Sequence, residues 1–182
     1  MINWEDTIEQ CRRGDIDAQT VAYRNAWKII YPSVYLLLRN REDAEDAMQE
    51  GFVKGLNKLD ELKENVKYVA WQKSICIREA LTKLRKRKSS INLFPDVAPE
   101  KADRGMDQTD HWLEVEHDIS PQEVMKKLQL LSPGYQLVVQ LHVLEGMSHV
   151  EIGEQLGIEA STCRSQYSRA LAKLKNEITG KR

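Results

Sequence analysis

The sequence predicts an all-α protein in which two helical blocks flank an acidic connector. Three observations carry that prediction. Apolar residues recur at three- and four-residue steps through both blocks. β-Branched residues are scattered rather than alternating, and nine Gly and five Pro among 182 residues are too few for a turn-rich β chain. The expected domain boundaries are 1–88, 89–119 and 120–182.

Taken in order, residues 18–38 place Val21, Ala22, Ala26, Ile29, Ile30, Val34, Leu37 and Leu38 at helical spacing. Asn40 stands where it caps the next helix, and Glu42 and Asp43 occupy a first turn that favours carboxylates. The apolar stripe of that helix is Ala44, Ala47, Met48, Phe52, Val53 and Leu56. Residues 60–65 read as a charged loop. Residues 66–88 are helical again, with Val69, Ile75, Ile77, Leu81 and Leu84 as core candidates and a basic end. Residues 89–119 lose periodicity and gather Pro95, Pro99 and Gly105 with acidic side chains, the composition of a linker, with Trp112 and Leu113 as a local anchor. The second block restarts at Ser120-Pro121-Gln122-Glu123, a capping-box pattern with Pro at the first helical position. Ser132-Pro133 opens a helix expected to close at Gly146. Ser148 and Glu151 form a second capping box, Gly157 ends that short helix, and a final helix spans about residues 160–175.

Charge nearly balances, with 27 Lys+Arg against 28 Asp+Glu, and a net −1 by itself argues against a nucleic-acid binder. Its distribution argues otherwise. Residues 1–88 carry a net +3, residues 89–119 a net −6 and residues 120–182 a net +2. No run approaches the roughly 18 apolar residues of a membrane span, and residues 1–10 lack an apolar signal core. No direct membrane insertion and a cytoplasmic location are therefore expected. Cys11, Cys76 and Cys163 lie far apart without CxxC spacing, which predicts neither a disulfide framework nor a zinc knuckle. His142 and His149 are seven apart across a helix end, a poor metal spacing even with Cys163. No metal and no cofactor are expected.

Residues 148–175 have the spacing of a helix-turn-helix. On its second helix Ala160, Cys163, Tyr167, Ala170 and Leu174 form one apolar stripe. The opposite face presents Ser161, Arg164, Ser165, Ser168 and Arg169, with Thr162 and Gln166 flanking. Small hydroxyls permit close approach to a DNA groove, while guanidinium groups read guanine edges or hold phosphates. The plain alternative is the solvated face of a helical hairpin. In the basic stretch, Tyr68 and Trp71 interleave with Lys73, Arg78, Lys83, Arg85, Lys86, Arg87 and Lys88. Cations there suit phosphates and aromatics suit unpaired bases, although a Trp at helical spacing, such as Trp71, is more often a core residue. Asp43, Asp46 and Glu50 share one helix face, with Glu45 nearby. This cluster reads as a solvated face or as a metal site that lacks His and converging ligands.

The strings Asp43-Ala44-Glu45-Asp46-Ala47-Met48-Gln49-Glu50-Gly51-Phe52 and Glu145-Gly146-Met147-Ser148-His149-Val150-Glu151-Ile152 resemble signature segments of bacterial RNA polymerase sigma factors. Cys163-Arg164-Ser165-Gln166-Tyr167-Ser168-Arg169-Ala170 is similar to their recognition helix. The layout resembles the extracytoplasmic-function branch, which keeps only the σ2 and σ4 domains. The resemblance implies a σ2-like helical domain, an acidic flexible linker and a σ4-like helix-turn-helix domain.

It further implies partners. Asp43, Asp46, Gln49, Glu50 and Phe52 would dock on the clamp helices of the largest subunit of core RNA polymerase, where charge complementarity steers association. The polymerase flap, promoter DNA and an anti-sigma factor are the other implied partners. Ser161, Thr162, Arg164, Ser165, Gln166, Ser168 and Arg169 would recognise a −35 element. Tyr68, Trp71, Lys73, Arg78, Lys83, Arg85 and Lys86 would melt the −10 region, with residues 59–67 capturing a flipped base. One departure stands out: relatives commonly carry Asn and Asp where this chain has Arg78 and Thr82, which alters base readout or replaces it with phosphate contact. The linker either threads the polymerase, its −6 mimicking nascent RNA, or is a solvated connector. A sigma factor is not an enzyme, since the polymerase makes the bonds. The alternatives are a stand-alone helix-turn-helix regulator that uses residues 1–88 for dimerisation or effector binding, and an enzyme built on the carboxylates at 43–50.

Overall fold

A computed structural model describes residues 2–88 and 120–179, in which all regular structure is helical. The predicted linker over 89–119, with Trp112 and Leu113, lies outside the described residues. The helices fall into two compact units.

The first unit opens with a helix that periodicity did not predict, α1 (Trp4–Arg12), capped by Asn3, whose side chain accepts from the Asp6 N–H at 3.4 Å. Only Ile8 and Cys11 of this helix are buried, too short a stripe to read at helical spacing. Helix α2 (Ile16–Leu38) is capped by Asp15, which accepts from the Ala18 N–H at 2.8 Å, and carries Pro32 internally. It buries Ala18, Ala22, Ala26, Ile30, Val34, Leu37 and Leu38, whereas Val21 and Ile29, expected inside, face solvent. Helix α3 (Arg41–Asn57) begins at the predicted cap, with Asn40 accepting from the Asp43 N–H at 2.9 Å. Val53 and Leu56 of its expected stripe are exposed. Two 3₁₀ turns, Leu59–Glu61 and Asn65–Lys67, lead into α4 (Tyr68–Lys88).

Helices α3 and α4 meet through two glycines. A Cβ at Gly51 would lie 2.6 Å from Cys76 Sγ and 2.9 Å from Cys76 Cα. One at Gly55 would collide with the Gln72 carboxamide, 2.7 Å from its Cδ. Gln72 cannot easily move aside: it is fully buried and donates from Nε2 to the Gly51 carbonyl at 2.9 Å. Glycine is needed here for close backbone approach.

In the second unit, α5 (Pro121–Leu128) starts at Ser120, whose hydroxyl accepts from the Glu123 N–H at 3.3 Å. Helix α6 (Pro133–Val139) passes into a π-helical turn, Gln140–Leu144, rather than running straight to Gly146. Helix α7 (His149–Leu156) has the complete predicted capping box. The Glu151 N–H donates to Ser148 Oγ at 3.2 Å, and the Ser148 N–H donates to Glu151 Oε2 at 2.8 Å. Gly157 ends it in the left-handed region at φ 69°, and α8 (Ala160–Thr179) follows.

Two histidines fasten α8. The His142 and His149 rings stack at 4.3 Å between centroids, and His142 meets the buried Tyr167 of α8 edge-on at 4.6 Å. His142 Nδ1 lies 2.7 Å from the Met147 carbonyl, which requires that nitrogen to donate. His149 Nδ1 lies 3.7 Å from Cys163 Sγ. Burial, then His142, then Arg164 hold the His149 pKa below its ordinary value.

Two outcomes follow from this packing. Gly51→Ala would gain about 1 kcal/mol in helix propensity alone, but overpacking against the Cys76 backbone costs about 1–3 kcal/mol, so the substitution fails to stabilise and gives a net loss of up to about 2 kcal/mol, read by chemical denaturation. A His149 that resists protonation when folded makes the unfolded chain the better proton acceptor below the ordinary pKa. Stability is therefore complete above about pH 6.5 and falls as pH drops below it, and His149→Gln flattens that dependence in denaturation curves.

Candidate nucleic-acid interface

The helix-turn-helix is set by Gly153. A Cβ there would lie 2.7 Å from the Ile158 carbonyl oxygen and 3.3 Å from the Ala160 nitrogen, and the Ile158 N–H donates to the Gly153 carbonyl at 3.0 Å. The turn thus folds back directly onto α7, over buried Ile152 and Leu156. Sequence reasoning missed Gly153; its signal was a glycine inside a two-turn helix, where propensity disfavours it.

The turn fixes which side of α8 is outermost. Cys163, Tyr167, Ala170 and Leu174 are buried as predicted, with Ala160 half-buried. Ser161, Arg164, Ser165 and Ser168 are exposed on one face, at i, i+3, i+4 and i+7. Thr162 and Arg169 are half-buried at its margins. Gln166 is a correction: it is buried at 5 % exposure, because it falls within the 163–167–170 inner stripe rather than beside the outer face.

The first unit corrects two further residues. Tyr68, expected to stack on bases, is 2 % exposed, its ring 5.3 Å from Trp4 and 6.4 Å from Trp71. Burial foremost, then Cys11 and Cys76, push its phenol pKa far up. The cause is α1, which covers the start of α4 and was absent from the sequence reading. Phe52, expected at a partner surface, is buried at 4 % exposure with its ring edge-on to Tyr23 at 4.7 Å. The remaining expected residues of α4 are accessible in varying degree: Arg78, Arg85 and Lys86 are exposed, and Trp71 and Lys73 half-buried.

The acidic and basic faces expected to serve different partners touch each other. Lys83 of α4 reaches Glu50 at 3.0 Å and Asp46 at 3.6 Å on α3, and Arg87 pairs with Asp43. The hydrogen bond from Lys83 lowers the Glu50 pKa, and the same bond raises that of Lys83. Gln49, on the same helix, is exposed. Beside these lies a feature unread in the sequence, a ladder of rings on α2. Tyr23, Trp27, Tyr31 and Tyr35 follow one another at 5.2, 5.5 and 6.0 Å. Its signal was an aromatic at every fourth position.

Chemically, the surfaces offer cations, hydroxyls and carboxylates suited to binding. Among the described residues no group of three or more His, Cys, Asp or Glu is placed to hold a metal ion. No described helix is long and apolar enough to cross a membrane.

Comparison with known proteins fits this arrangement. Residues 24–90 match the family description "Sigma-70 region 2", and residues 122–174 match "Sigma-70, region 4". The chain is 26 % identical to the ECF RNA polymerase sigma factor SigW of Bacillus subtilis, covering 94 % of each chain. It is 27 % identical to the ECF sigma factor SigE of Mycolicibacterium smegmatis over 82 % of this chain and 57 % of that one. Among solved structures it is similar to the sigma factor RpoE of Bartonella quintana, in complex with the anti-sigma factor NepR. That likeness has 22 % identity and a TM-score of 0.48, over 86 % of this chain and 94 % of that chain. With both region patterns in order along one chain, and a relative aligned over nearly its full length, the protein belongs to the sigma-70 family as a sigma factor of the extracytoplasmic-function branch.

Proposed function

We propose that this sigma factor joins core RNA polymerase through α3 and directs it to promoters with α8, residues 59–67 and α4. Residues 1–88 then act as the σ2 domain, 89–119 as the connector and 120–182 as the σ4 domain. The chain makes no bonds itself; it works in the cytoplasm with the polymerase, under an anti-sigma factor of the kind its branch implies.

The observation that carries this reading is the outer face of α8. Ser161, Arg164, Ser165 and Ser168 stand exposed on one side of a helix whose other side is buried. Hydroxyls and a guanidinium there suit a major groove: short side chains let the backbone approach, and Arg164 spans to a guanine edge or a phosphate. In the first unit, Arg78, Arg85 and Lys86 supply phosphate contacts, and Trp71 retains enough exposure to meet a base. Tyr68, Phe52 and Gln166 act from the core and leave the list of direct contacts.

On α3, Asp46, Gln49 and Glu50 meet the polymerase. Asp46 and Glu50 already share Lys83, so a basic partner exchanges one ion pair for another. Such a face steers and registers association more than it adds affinity.

Arg164→Ala is expected to cost about 1–3 kcal/mol of discrimination at one −35 position if it reads a base, measured on holoenzyme with a panel of substituted promoters. A loss uniform over all sequences would make it a phosphate contact. Asp46→Arg and Glu50→Arg should each weaken co-elution with core polymerase roughly a hundredfold, while circular dichroism stays unchanged. Undiminished co-elution would remove α3 from the docking surface.

A further inference from the structure

The segment between α3 and α4 is held from behind by α1, and Arg12 makes most of the hydrogen bonds that hold it. Residues 58–67 lack a continuous helical ladder, so several of their carbonyls need donors from elsewhere. Arg12 supplies them. Its Nη2 donates to the Leu62 carbonyl at 2.8 Å and the Leu59 carbonyl at 3.4 Å, and its Nη1 donates to Asn65 Oδ1 at 2.8 Å. Asn65 is itself buried, and its Nδ2 donates back to the Glu5 carbonyl of α1 at 3.2 Å. The Leu59 and Leu62 side chains are buried as well.

Positions 59, 62 and 65 thus form an inner row, clamped to α1. Asp60, Glu61, Lys63, Glu64, Val66 and Lys67 are left facing outward. The Trp4–Tyr68 ring contact ties α1 to the first residue of α4 just beyond the segment. The guanidinium is a rigid planar fork whose directed donors meet two carbonyls and one amide oxygen at once. A lysine ammonium cannot reproduce that geometry. Arg12 is also poorly placed for DNA, with its side chain only 23 % exposed and ion-paired to Glu9 at 3.4 Å.

We infer that Arg12 is a positioning residue for promoter reading: it sets the conformation in which residues 59–67 present their outer row to an unpaired base, without touching DNA. This rests on the proposal that residues 59–67 read the −10 element. It adds a function to α1, which otherwise serves as packing.

The test uses full-length protein assembled with core polymerase, transcribing promoters with single substitutions in the −10 or the −35 element. Wild type, Arg12→Ala, Arg12→Lys and the outer-row variant Glu64→Ala are compared. Arg12→Ala is expected to lose about tenfold discrimination among −10 bases with the −35 profile unchanged, Arg12→Lys to recover only part of it, and Glu64→Ala to alter the same −10 positions. Unchanged circular dichroism and undiminished co-elution with core polymerase report that the first unit of each variant is folded, and the unchanged −35 profile, read by the separate second unit, shows that the loss is confined to the −10 element. If Glu64→Ala shifts the −10 profile and Arg12→Ala does not, the positioning role is overturned while the segment keeps its reading. If neither shifts it, both are overturned.

Discussion

The close passage of α4 over Gly51 and Gly55 is the contact that organises the first unit. Because neither glycine carries a Cβ, the α4 backbone at Cys76 and the Gln72 side chain sit directly on α3. Gln72 then closes the interface with a hydrogen bond to the Gly51 carbonyl. Close packing at this density tolerates little change of volume. From that seam outward the rest of the surface is dictated: the same register brings Lys83 against Asp46 and Glu50, and Arg87 against Asp43.

The seam changes how the charge of the chain is understood. Along the sequence the net −1 resolves into two basic blocks offset by an acidic connector, with the carboxylates of α3 and the cations of α4 read as separate faces for separate partners. Instead part of that charge is already paired inside one unit, so α3 and α4 present a single mixed surface. In each of these ion pairs one side chain is mostly covered and the other is more open to solvent, so salt screens them only in part and their contribution to stability is modest. Their value lies in register, since they set which carboxylates a basic partner meets and which cations are left for phosphate. On the proposed reading, docking on α3 and contact with DNA are linked through Lys83.

Much of the fold was legible because caps and helical spacing are local. Asn40, Ser148 with Glu151, and Gly157 mark helix ends through hydrogen bonds or a left-handed φ made within a few residues. The face of α8 was legible for the same reason, since a 3.6-residue period separates Ser161, Arg164, Ser165 and Ser168 from Cys163, Tyr167 and Ala170. What was hidden depends on elements distant in the chain. Tyr68 is buried by Trp4, more than sixty positions earlier, on a helix too short to announce itself. Phe52 packs against Tyr23 of α2, and the Arg12 clamp bridges α1 to residues 59–65. Gln166 sits at the edge of a stripe, where a small rotation decides in from out. The glycines of α3 and α7 read as weak helix formers until the atoms they admit are seen.

The most direct test of the central claim, that this chain confers promoter choice on a polymerase, is single-round run-off transcription by core enzyme. The template would be a promoter library, with and without the protein. The account predicts transcripts that appear only with the protein and arise from templates sharing a −35 and a −10 element at fixed spacing. Tight binding to promoter duplex by the protein alone, with no protein-dependent transcript from core enzyme, would contradict it and mark a stand-alone regulator.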